Sequence, residues 1–401
     1  MDAKAYWVGL TRVYGLGPKR FQLLLNKIGT PEKIWNSKEV ELAAVLGRTS
    51  PVVQNILKCR ATLDLEKELA ALEDYQVQVI TLQDLEYPVN LLNIYDPPPV
   101  LYVRGSLSKE DSRSVAVVGS RRATPYGRAM ADRLAGDLAR EGFTVVSGLA
   151  RGVDTYGHQG VLKAGGRTIA VLGCGVDIVY PRENQSLFEE IVAKGAVISE
   201  FPLGTPPEAT NFPARNRIIS GLSLGVLVIE AAEDGGALIT ADFALEQGRD
   251  VFAVPGPITN RYSRGTNRLI KDGAKLVEGV EDIVEEYVEE KRRDKVIQVP
   301  QQLSLDLTSI SAADVKTINN QPQGQSYSEE KLERLIQAEL NREEGILLGL
   351  LSLDPVMVDN LIAGSGLTPH QVNSILMFLE MRGFVQQLPG RRYILGKNFI
   401  K

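Results

Sequence analysis

The 401-residue chain has little of the chemistry that metal and redox enzymes use. It holds two histidines and two cysteines, Cys59 and Cys174, too few for a zinc site or a disulfide framework. So little cysteine suits a reducing compartment, and the first residues show no signal-peptide pattern, so we expect a cytoplasmic protein. No apolar run approaches the roughly 20 residues that span a bilayer, so no membrane association is expected. The sequence predicts no cofactor and no metal.

Signatures of nucleotide enzymes and an excess of basic charge are missing as well. No G-x-x-x-x-G-K-[ST] segment occurs, which excludes a P-loop NTPase, and no G-x-G-x-x-G follows the first strand signal. The formal net charge is −5, from 45 Lys and Arg against 50 Asp and Glu. This balance argues against indiscriminate nucleic-acid binding. It still permits a local arginine cluster, because screening confines charge contacts to about 10 Å.

What is present divides the chain into four predicted regions. Residues 1–70 carry helical apolar spacing broken by glycine and proline, which predicts a small helical domain. Residues 71–290 alternate strand and helix signals. Residues 291–327 are rich in Gln, Ser and Asn, which is typical of a flexible linker; the alternative is an extended arm that packs on a neighbour. Residues 328–401 carry the signals of a winged helix.

Short apolar runs in the second region predict the fold class. They are nearly continuous in Val, Ile and Leu, as in strands buried on both faces of a parallel sheet. Alternating strands and helices predict a doubly wound α/β sheet, in which ligands bind at the carboxyl ends of the strands. The runs are Val77–Thr81, Val100–Val103, Ser114–Gly119, Thr144–Ser147, Thr168–Gly173, Ala196–Ser199, Gly225–Glu230 and Asp250–Val254.

In the last region, three helix signals precede two short strand signals. The helices are predicted over Glu329–Leu351, Pro355–Ala363 and Thr368–Arg382, and the strands over Phe384–Gln387 and Tyr393–Leu395. The third helix is poorly basic and rather apolar, which favours a protein contact over insertion into a DNA groove.

Glycine and arginine follow two of the predicted strands and precede helices. Glycine lets the backbone approach an anion, the next helix offers free N–H groups, and arginine adds a bidentate phosphate partner. These loops predict a phosphate or nucleotide site; the alternative is glycine turns with solvated arginines. Asp154 either caps the helix after the second loop or holds Arg151. The candidate residues are Gly119, Ser120, Arg121, Arg122, Arg151 and Gly152.

A third segment combines prolines, an aromatic ring and two arginines. We expect a stiff loop in which Phe212 stacks on a base while Arg215 and Arg217 contact phosphates. The alternatives are that Phe212 packs in the core and that one arginine forms a structural ion pair. Further on, glycines before a helix predict another phosphate contact, and Glu230 could orient an arginine. The candidates from these segments are Asn211, Phe212, Arg215, Asn216, Arg217, Gly235 and Gly236.

Taken in order, these segments resemble the DNA-processing protein A family. The resemblance covers about residues 77–280 closely, and so many spaced matches make it specific. The matching blocks are VGSRRATPYG (118–127), SGLARGVD (147–154), VLGCGVDIVYP (171–181), SEFPLGTPPEATNFPARNRIISGLS (199–223), EAAEDGGALITADFALEQGRDVFAVPG (230–256) and GTNRLIKDGA (265–274).

The resemblance implies an extended Rossmann-like domain that binds single-stranded DNA and is not an enzyme. It implies protection of incoming strands in natural transformation, loading of the RecA recombinase, and a homodimer built on the Rossmann-like domain. It assigns Arg121 and residues of the NFPARNR block, Phe212, Arg215 and Arg217, to the DNA pocket. Arg151 and Asn216 are added from their positions in the same loops.

Other interpretations stay open. The segment that contains Gly15, Gly17 and Lys19 resembles a helix-hairpin-helix, a motif that would contact a DNA phosphate. The alternative is that residues 1–70 form a small helical domain used for packing or partner docking. The competing function is an enzyme or sensor for a nucleotide-like molecule, similar to phosphoribohydrolases. Its stretch EDGGALITADFALE lacks a second glycine, and Glu246 lies off the expected spacing. A third possibility is a scaffold whose winged helix binds duplex DNA.

Overall fold

The computed structural model describes residues 2–287 and, beyond them, residues 342–351, 356–367, 371–372, 375–376, 379–380, 384–388 and 392–395. The chain forms two compact units, Met1–Pro300 and Gln301–Lys401. The predicted linker, residues 291–327, lies outside the described residues.

The first unit begins with helices that share a core with the edge of a sheet. Proline at the first position starts several of them, because its missing N–H has no partner there in any case. Trp7 stacks on Phe21 at 5.4 Å, and the same core includes Val79 and Tyr102 of the sheet. This core contains residues from both sides of residue 70, and the predicted domain boundary there stays a prediction. These helices are α1 (Ala3–Thr11), α2 (Pro18–Ile28), α3 (Pro31–Asn36), α4 (Glu39–Leu46), α5 (Pro51–Thr62) and α6 (Leu65–Asp74).

A nine-stranded sheet in the order β1-β2-β6-β5-β4-β3-β7-β8-β9 forms the centre of this unit. The neighbours from β6 to β9 are parallel, whereas β1 pairs antiparallel with β2, and β2 with β6. The strands are β1 (Gln78–Thr81), β2 (Val100–Gly105), β3 (Ser114–Val118), β4 (Thr144–Ser147), β5 (Thr168–Val171), β6 (Ala196–Ser199), β7 (Gly225–Val228), β8 (Asp250–Ala253) and β9 (Lys275–Leu276).

The doubly wound α/β class and the eight predicted strands are confirmed, with two differences. A wholly parallel sheet is wrong for β1 and β2. The segment between them holds only the four-residue helix α7 (Val89–Leu92), and antiparallel neighbours need no long crossover. The two-residue β9 was not predicted, because so short a strand leaves no pattern in the sequence.

Longer helices cover both faces of the parallel strands. They are α8 (Pro125–Arg140), α9 (Val153–Lys163), α10 (Gln185–Lys194), α11 (Asn211–Leu222), α12 (Gly236–Glu246), α13 (Arg264–Lys271) and the short α14 (Glu281–Val284). Single 3-10 turns cover Lys109–Ser112, Arg182–Asn184, Arg261–Ser263 and Glu285–Tyr287. Strand β3 lies between β4 and β7, so the direction of winding reverses there. This reversal opens a crevice at the carboxyl ends of the strands.

The second unit has the elements of a winged helix. Helices Arg342–Leu350 and Val358–Ser365 accompany an antiparallel sheet of β10 (Val356–Met357), β12 (Arg392–Leu395) and β11 (Val385–Leu388). The described residues between 371 and 380 are helical, and Leu347, Leu361 and Leu376 lie in one core.

The predicted start of the second helix, at Pro355, is wrong. Val356 and Met357 pair with β12 as a strand, so the helix begins at Val358. Residues 329–341 of the first predicted helix, and Thr368, lie outside the described residues.

Candidate functional site

A groove of about 660 Å³ opens at the carboxyl ends of the strands. Its walls come from the loops after β3 and β4, from α11, and from the start of α12. It is lined by most of the residues that the sequence singled out: Gly119, Ser120, Arg121, Arg122, Phe212, Arg215, Asn216, Gly235 and Gly236. Arg151 lines a small adjoining pocket together with Arg121, Tyr180 and Phe212. Gly152, Asn211 and Arg217 line neither.

The loop after β3 is fixed by a buried carboxylate. The side chain of Glu230 accepts hydrogen bonds from the Thr124 backbone N–H at 2.9 Å and from its hydroxyl at 2.5 Å. Thr124 in turn caps α8 by accepting from the N–H of Gly127 at 3.2 Å. The N-terminus of α8 is therefore already occupied by an anion of the protein itself. Glu230 orients Thr124, and not the arginine considered from the sequence.

The cations of this loop lie at the surface of the groove. Arg121 and Arg122 are exposed, and the Arg121 guanidinium carbon lies 5.1 Å from the centre of the Phe212 ring. Tyr180 adds a second ring, with its centre 5.6 Å from that of Phe212 and a tilt of 38°. Phe212 is partly exposed rather than enclosed in the core. The groove thus combines an exposed cation with two aromatic rings.

In the loop after β4, Gly152 does not line the groove but packs against the loop after β3. Its φ is +77°, and a Cβ there would lie 2.3 Å from the carbonyl oxygen of Ser120. Only glycine lets the loops after β3 and β4 pack so closely. Beside it, Arg151 forms an exposed ion pair with Glu183.

Asp154 does not cap α9, and it holds the loop of Arg151 through the backbone rather than through the Arg151 side chain. Its buried carboxylate accepts hydrogen bonds from the backbone N–H groups of Gly148 at 3.2 Å and Ala150 at 3.3 Å. Burial raises the pKa of Asp154 to about 6, against the opposing field of Arg215. The loop that carries Arg151 is thus held by a carboxyl that titrates close to neutrality.

The segment expected to be a stiff loop is the first half of α11. The helix begins at Asn211, and Pro213 fits its first turn because N–H groups there have no helical partner. Arg215 is buried beneath the groove, where its guanidinium donates to the carbonyl oxygens of Gly148, at 2.8 Å, and Val171. Burial lowers the pKa of Arg215 to about 10, so the side chain stays charged at neutral pH.

Arg217 points away from the groove. Two residues along a helix correspond to a rotation of about 200°, so Arg215 and Arg217 face opposite sides. Arg217 is buried, and its guanidinium lies 2.6 Å from a carboxylate oxygen of Glu200 and 3.2 Å from one of Asp96. Burial raises the pKa of Glu200, and Arg217 opposes that rise. The geometry therefore matches the structural ion pair that the sequence left open for one of the two arginines.

The start of α12 forms another wall. Gly235 occupies the cap position without a side-chain hydrogen bond, and a Cβ on Gly236 would meet only open space. Asn216 donates from its amide to the Gly236 carbonyl at 3.4 Å. Groove residues that were not among the candidate site residues include Tyr180, Arg261 and Tyr262. Tyr180 stands in a strand-end block and could have been found; the turn at 261–263 carries no motif.

Catalytic chemistry gains little support from this geometry. Burial lowers the pKa of His158 to about 3 and raises the pKa of Cys174 to about 11, so neither suits a base or a nucleophile at neutral pH. Glu246 ends α12 and does not line the groove. Within the described residues, no group of three or more His, Cys, Asp and Glu could hold a metal, and none of the helices is long and apolar enough to cross a membrane.

Of the predicted hairpin residues, Gly15 and Gly17 lie between α1 and α2, and Lys19 lies in the first turn of α2. Gly15 has a φ of +82° and Gly17 caps α2. The ammonium group of Lys19 lies 4.1 Å from the centre of the Tyr95 ring, and Tyr14 is exposed. Phosphate contact by this hairpin stays a prediction.

Comparisons with known proteins agree with the resemblance noted in the sequence. The family model described as DNA recombination-mediator protein A matches residues 78–288, and the model of the DprA winged helix domain matches residues 333–391. The chain is 34% identical over 400 residues to Protein Smf of Synechocystis sp., across 97% of this chain and 98% of that protein. It is 41% identical over 254 residues to the DNA processing protein DprA of Bacillus subtilis, across 60% of this chain and 86% of that protein.

A solved structure shows the same fold. The X-ray structure of DNA processing protein A from Streptococcus pneumoniae matches with a TM-score of 0.63 at 36% identity, over 71% of this chain and 99% of that chain. Fold, groove and sequence agree, and the chain belongs to the DNA recombination-mediator protein A family, also known as DprA or Smf.

Proposed function

We propose that this protein binds single-stranded DNA in the groove at the carboxyl ends of the strands. It then acts as a recombination mediator, not an enzyme, which protects the strand and promotes loading of the RecA recombinase in natural transformation or DNA recombination. The observation that carries the proposal is the pairing of exposed Arg121 with the ring of Phe212, in a groove that the buried cation Arg215 also lines.

The chemistry of the groove suits an unpaired strand. Bases of a single strand present free π-faces, which stack on aromatic rings while cations contact the phosphates. Phe212 and Tyr180 supply the rings, and Arg121, Arg122 and Arg215 supply the positive charge. In a duplex, the same faces are covered by neighbouring bases. Affinity should therefore favour single strands over duplex of equal length.

Contacts between the groove arginines and the phosphates make this binding sensitive to salt. The chain carries a net charge of −5, so attraction to DNA must come from the local arginines against repulsion from the rest of the surface. Each phosphate that the protein neutralises releases counterions and adds about 0.7 to the slope of log affinity against log salt for a single strand. A steep slope with modest affinity at physiological salt is expected.

Family membership, rather than the geometry of the groove, supports the proposed partners and location. We infer a homodimer through the Rossmann-like domain, RecA as the protein partner, and action in the cytoplasm. A nucleotide-hydrolysing function gains no support, because Glu246 does not line the groove.

The test is a fluorescence-anisotropy titration of a labelled single-stranded oligonucleotide at two salt concentrations. Arg121→Ala should weaken binding about tenfold, the equivalent of one charge-assisted contact, and should reduce the salt slope by about 0.7. Arg133→Ala is the matched control, because Arg133 is 61% exposed on α8 and pairs only weakly with Asp137, at 3.6 Å. Unchanged binding by Arg121→Ala, or equal affinity for duplex, would refute the proposal.

A further inference from the structure

Arg261 is a groove cation that no sequence motif indicated. It begins the 3-10 turn Arg261–Ser263, between β8 and α13, and lines the same groove as Arg121 and Phe212. Its neighbour Tyr262 lines the groove as well. Neither residue lies in the loops from which the DNA-binding candidates were taken.

The backbone beneath Arg261 is held against the end of β7. The N–H of Ala231 donates to the carbonyl of Tyr262 at 2.7 Å, and the N–H of Gly265 donates to the carbonyl of Ala231 at 2.9 Å. A Cβ on Gly265 would lie 2.7 Å from that Ala231 oxygen, so the approach requires glycine. The side chain of Asn260 also caps the turn through the Tyr262 N–H at 3.0 Å. Arg261 therefore extends from a fixed base.

The charge of Arg261 is only loosely engaged within the protein. The side chain is 71% exposed, and it lies 3.6 Å from a carboxylate oxygen of Asp234, which is itself 80% exposed. Solvent screens such a pair strongly, so it gives little stability. A phosphodiester can offer the guanidinium two oxygens at once, and a planar guanidinium favours that geometry. Asp234 directly precedes Gly235, which caps α12 at the wall of the groove.

We propose that Arg261 is a second phosphate-binding arginine of the groove, at a wall separate from Arg121, and that Asp234 competes with the phosphate for it. The proposal rests on the proposed function and extends it, because the ligand class is the phosphodiester backbone of a strand long enough to reach both walls. Release of Arg261 from Asp234 is then part of DNA binding.

The experiment compares Arg261→Ala with a matched arginine of the same segment. Arg268 is 69% exposed, pairs with Asp272 at 3.4 Å and does not line the groove. Anisotropy titrations of a labelled single-stranded oligonucleotide, at several salt concentrations, should show Arg261→Ala binding about five- to tenfold more weakly, with a salt slope smaller by about 0.7. Arg268→Ala should match the wild type. Equal affinities and slopes for the two variants would overturn the proposal.

Asp234→Asn provides a second, independent measurement. It should tighten binding in the wild-type background, because a competitor for Arg261 is removed. In the Arg261→Ala background most of that gain should vanish, and an equal gain in both backgrounds would contradict competition at Arg261.

Arg121→Ala distinguishes failure of this inference from failure of the proposed function. If it weakens binding while Arg261→Ala does not, the second contact alone fails; if neither variant weakens binding, the groove itself is not the DNA site.

Discussion

Replacing Arg217 by alanine should destabilise the fold while leaving the groove intact. Arg217 neutralises Glu200 at 2.6 Å and Asp96 at 3.2 Å, and its side chain is only 7% exposed. Removal of the guanidinium leaves Glu200 buried without its cation. Breaking a buried ion pair in this way costs ~3–5 kcal/mol. A loss of that size is a large part of the stability of an ordinary domain.

Urea unfolding provides the measurement. The two tryptophans, Trp7 and Trp35, lie in the helical core that packs on β1 and β2, so their fluorescence follows this unit. The midpoint should fall while the denaturant dependence stays constant. The double variant Arg217→Met with Glu200→Gln removes both charges and should recover part of the loss, because no buried carboxylate is then left without a partner.

The loss should also depend on pH with a defined sign. Without Arg217, the folded-state pKa of Glu200 lies further above its value in the unfolded chain, so the folded protein binds the proton more tightly. The deficit is then largest at high pH, and it shrinks as the pH falls toward the unfolded pKa of about 4.3. An unchanged midpoint, together with weaker DNA binding and a smaller salt slope, would refute the structural assignment of Arg217.

Three further predictions concern the loops around the groove. Gly152→Ala should weaken DNA binding and lower stability more than Gly204→Ala does. Both glycines have φ near +77°, but only a Cβ on Gly152 would collide with Ser120. Melting temperatures and DNA titrations of the two variants provide the comparison. The pKa of Asp154 is about 6, so lowering the pH from 8 to 5.5 should tighten DNA binding as the carboxylate is neutralised, and Asp154→Asn should flatten that pH profile. The contribution of Asp154 to the stability of the fold is fully present below pH about 4 and is lost as the pH rises through 6. Glu230→Ala should cost ~3 kcal/mol in urea unfolding, because two hydrogen bonds to a buried carboxylate are lost at the start of α8; a loss below ~1 kcal/mol would contradict that role.

Much of the sheet was predictable because its strands are buried on both faces. Runs such as Val115–Val118 and Val226–Val228 are apolar at every position, and burial at every position is what the structure shows. The direction of β1 and β2 was not predictable in the same way. Strand direction depends on which partner a strand finds, and the pairing of β2 with β6 joins residues far apart in the chain.

The position of the groove could be predicted from glycines at strand ends, whereas the roles of individual side chains could not. Pro213 suggested a loop, and in a loop Arg215 and Arg217 could both reach a ligand; in a helix they diverge. The carboxylate of Glu230 occupies the N-terminus of α8 through its hydrogen bond with Thr124. The two residues are 106 positions apart, so no local pattern indicates the contact. Arg261 reaches the groove only because its turn packs on Ala231, which no local pattern reveals.

Arg215 illustrates what burial of a cation does for a binding surface. A long side chain loses about 2 kcal/mol of rotamer freedom when it is immobilised, and for Arg215 that loss occurs when the chain folds. Exposed Arg121 and Arg122 must instead be ordered each time a ligand arrives. The floor of the groove therefore contributes attraction with little entropic penalty, while the rim governs how fast a strand is captured. Mutations at the rim should act mainly on association rates at low salt, and changes beneath the floor on the lifetime of the complex.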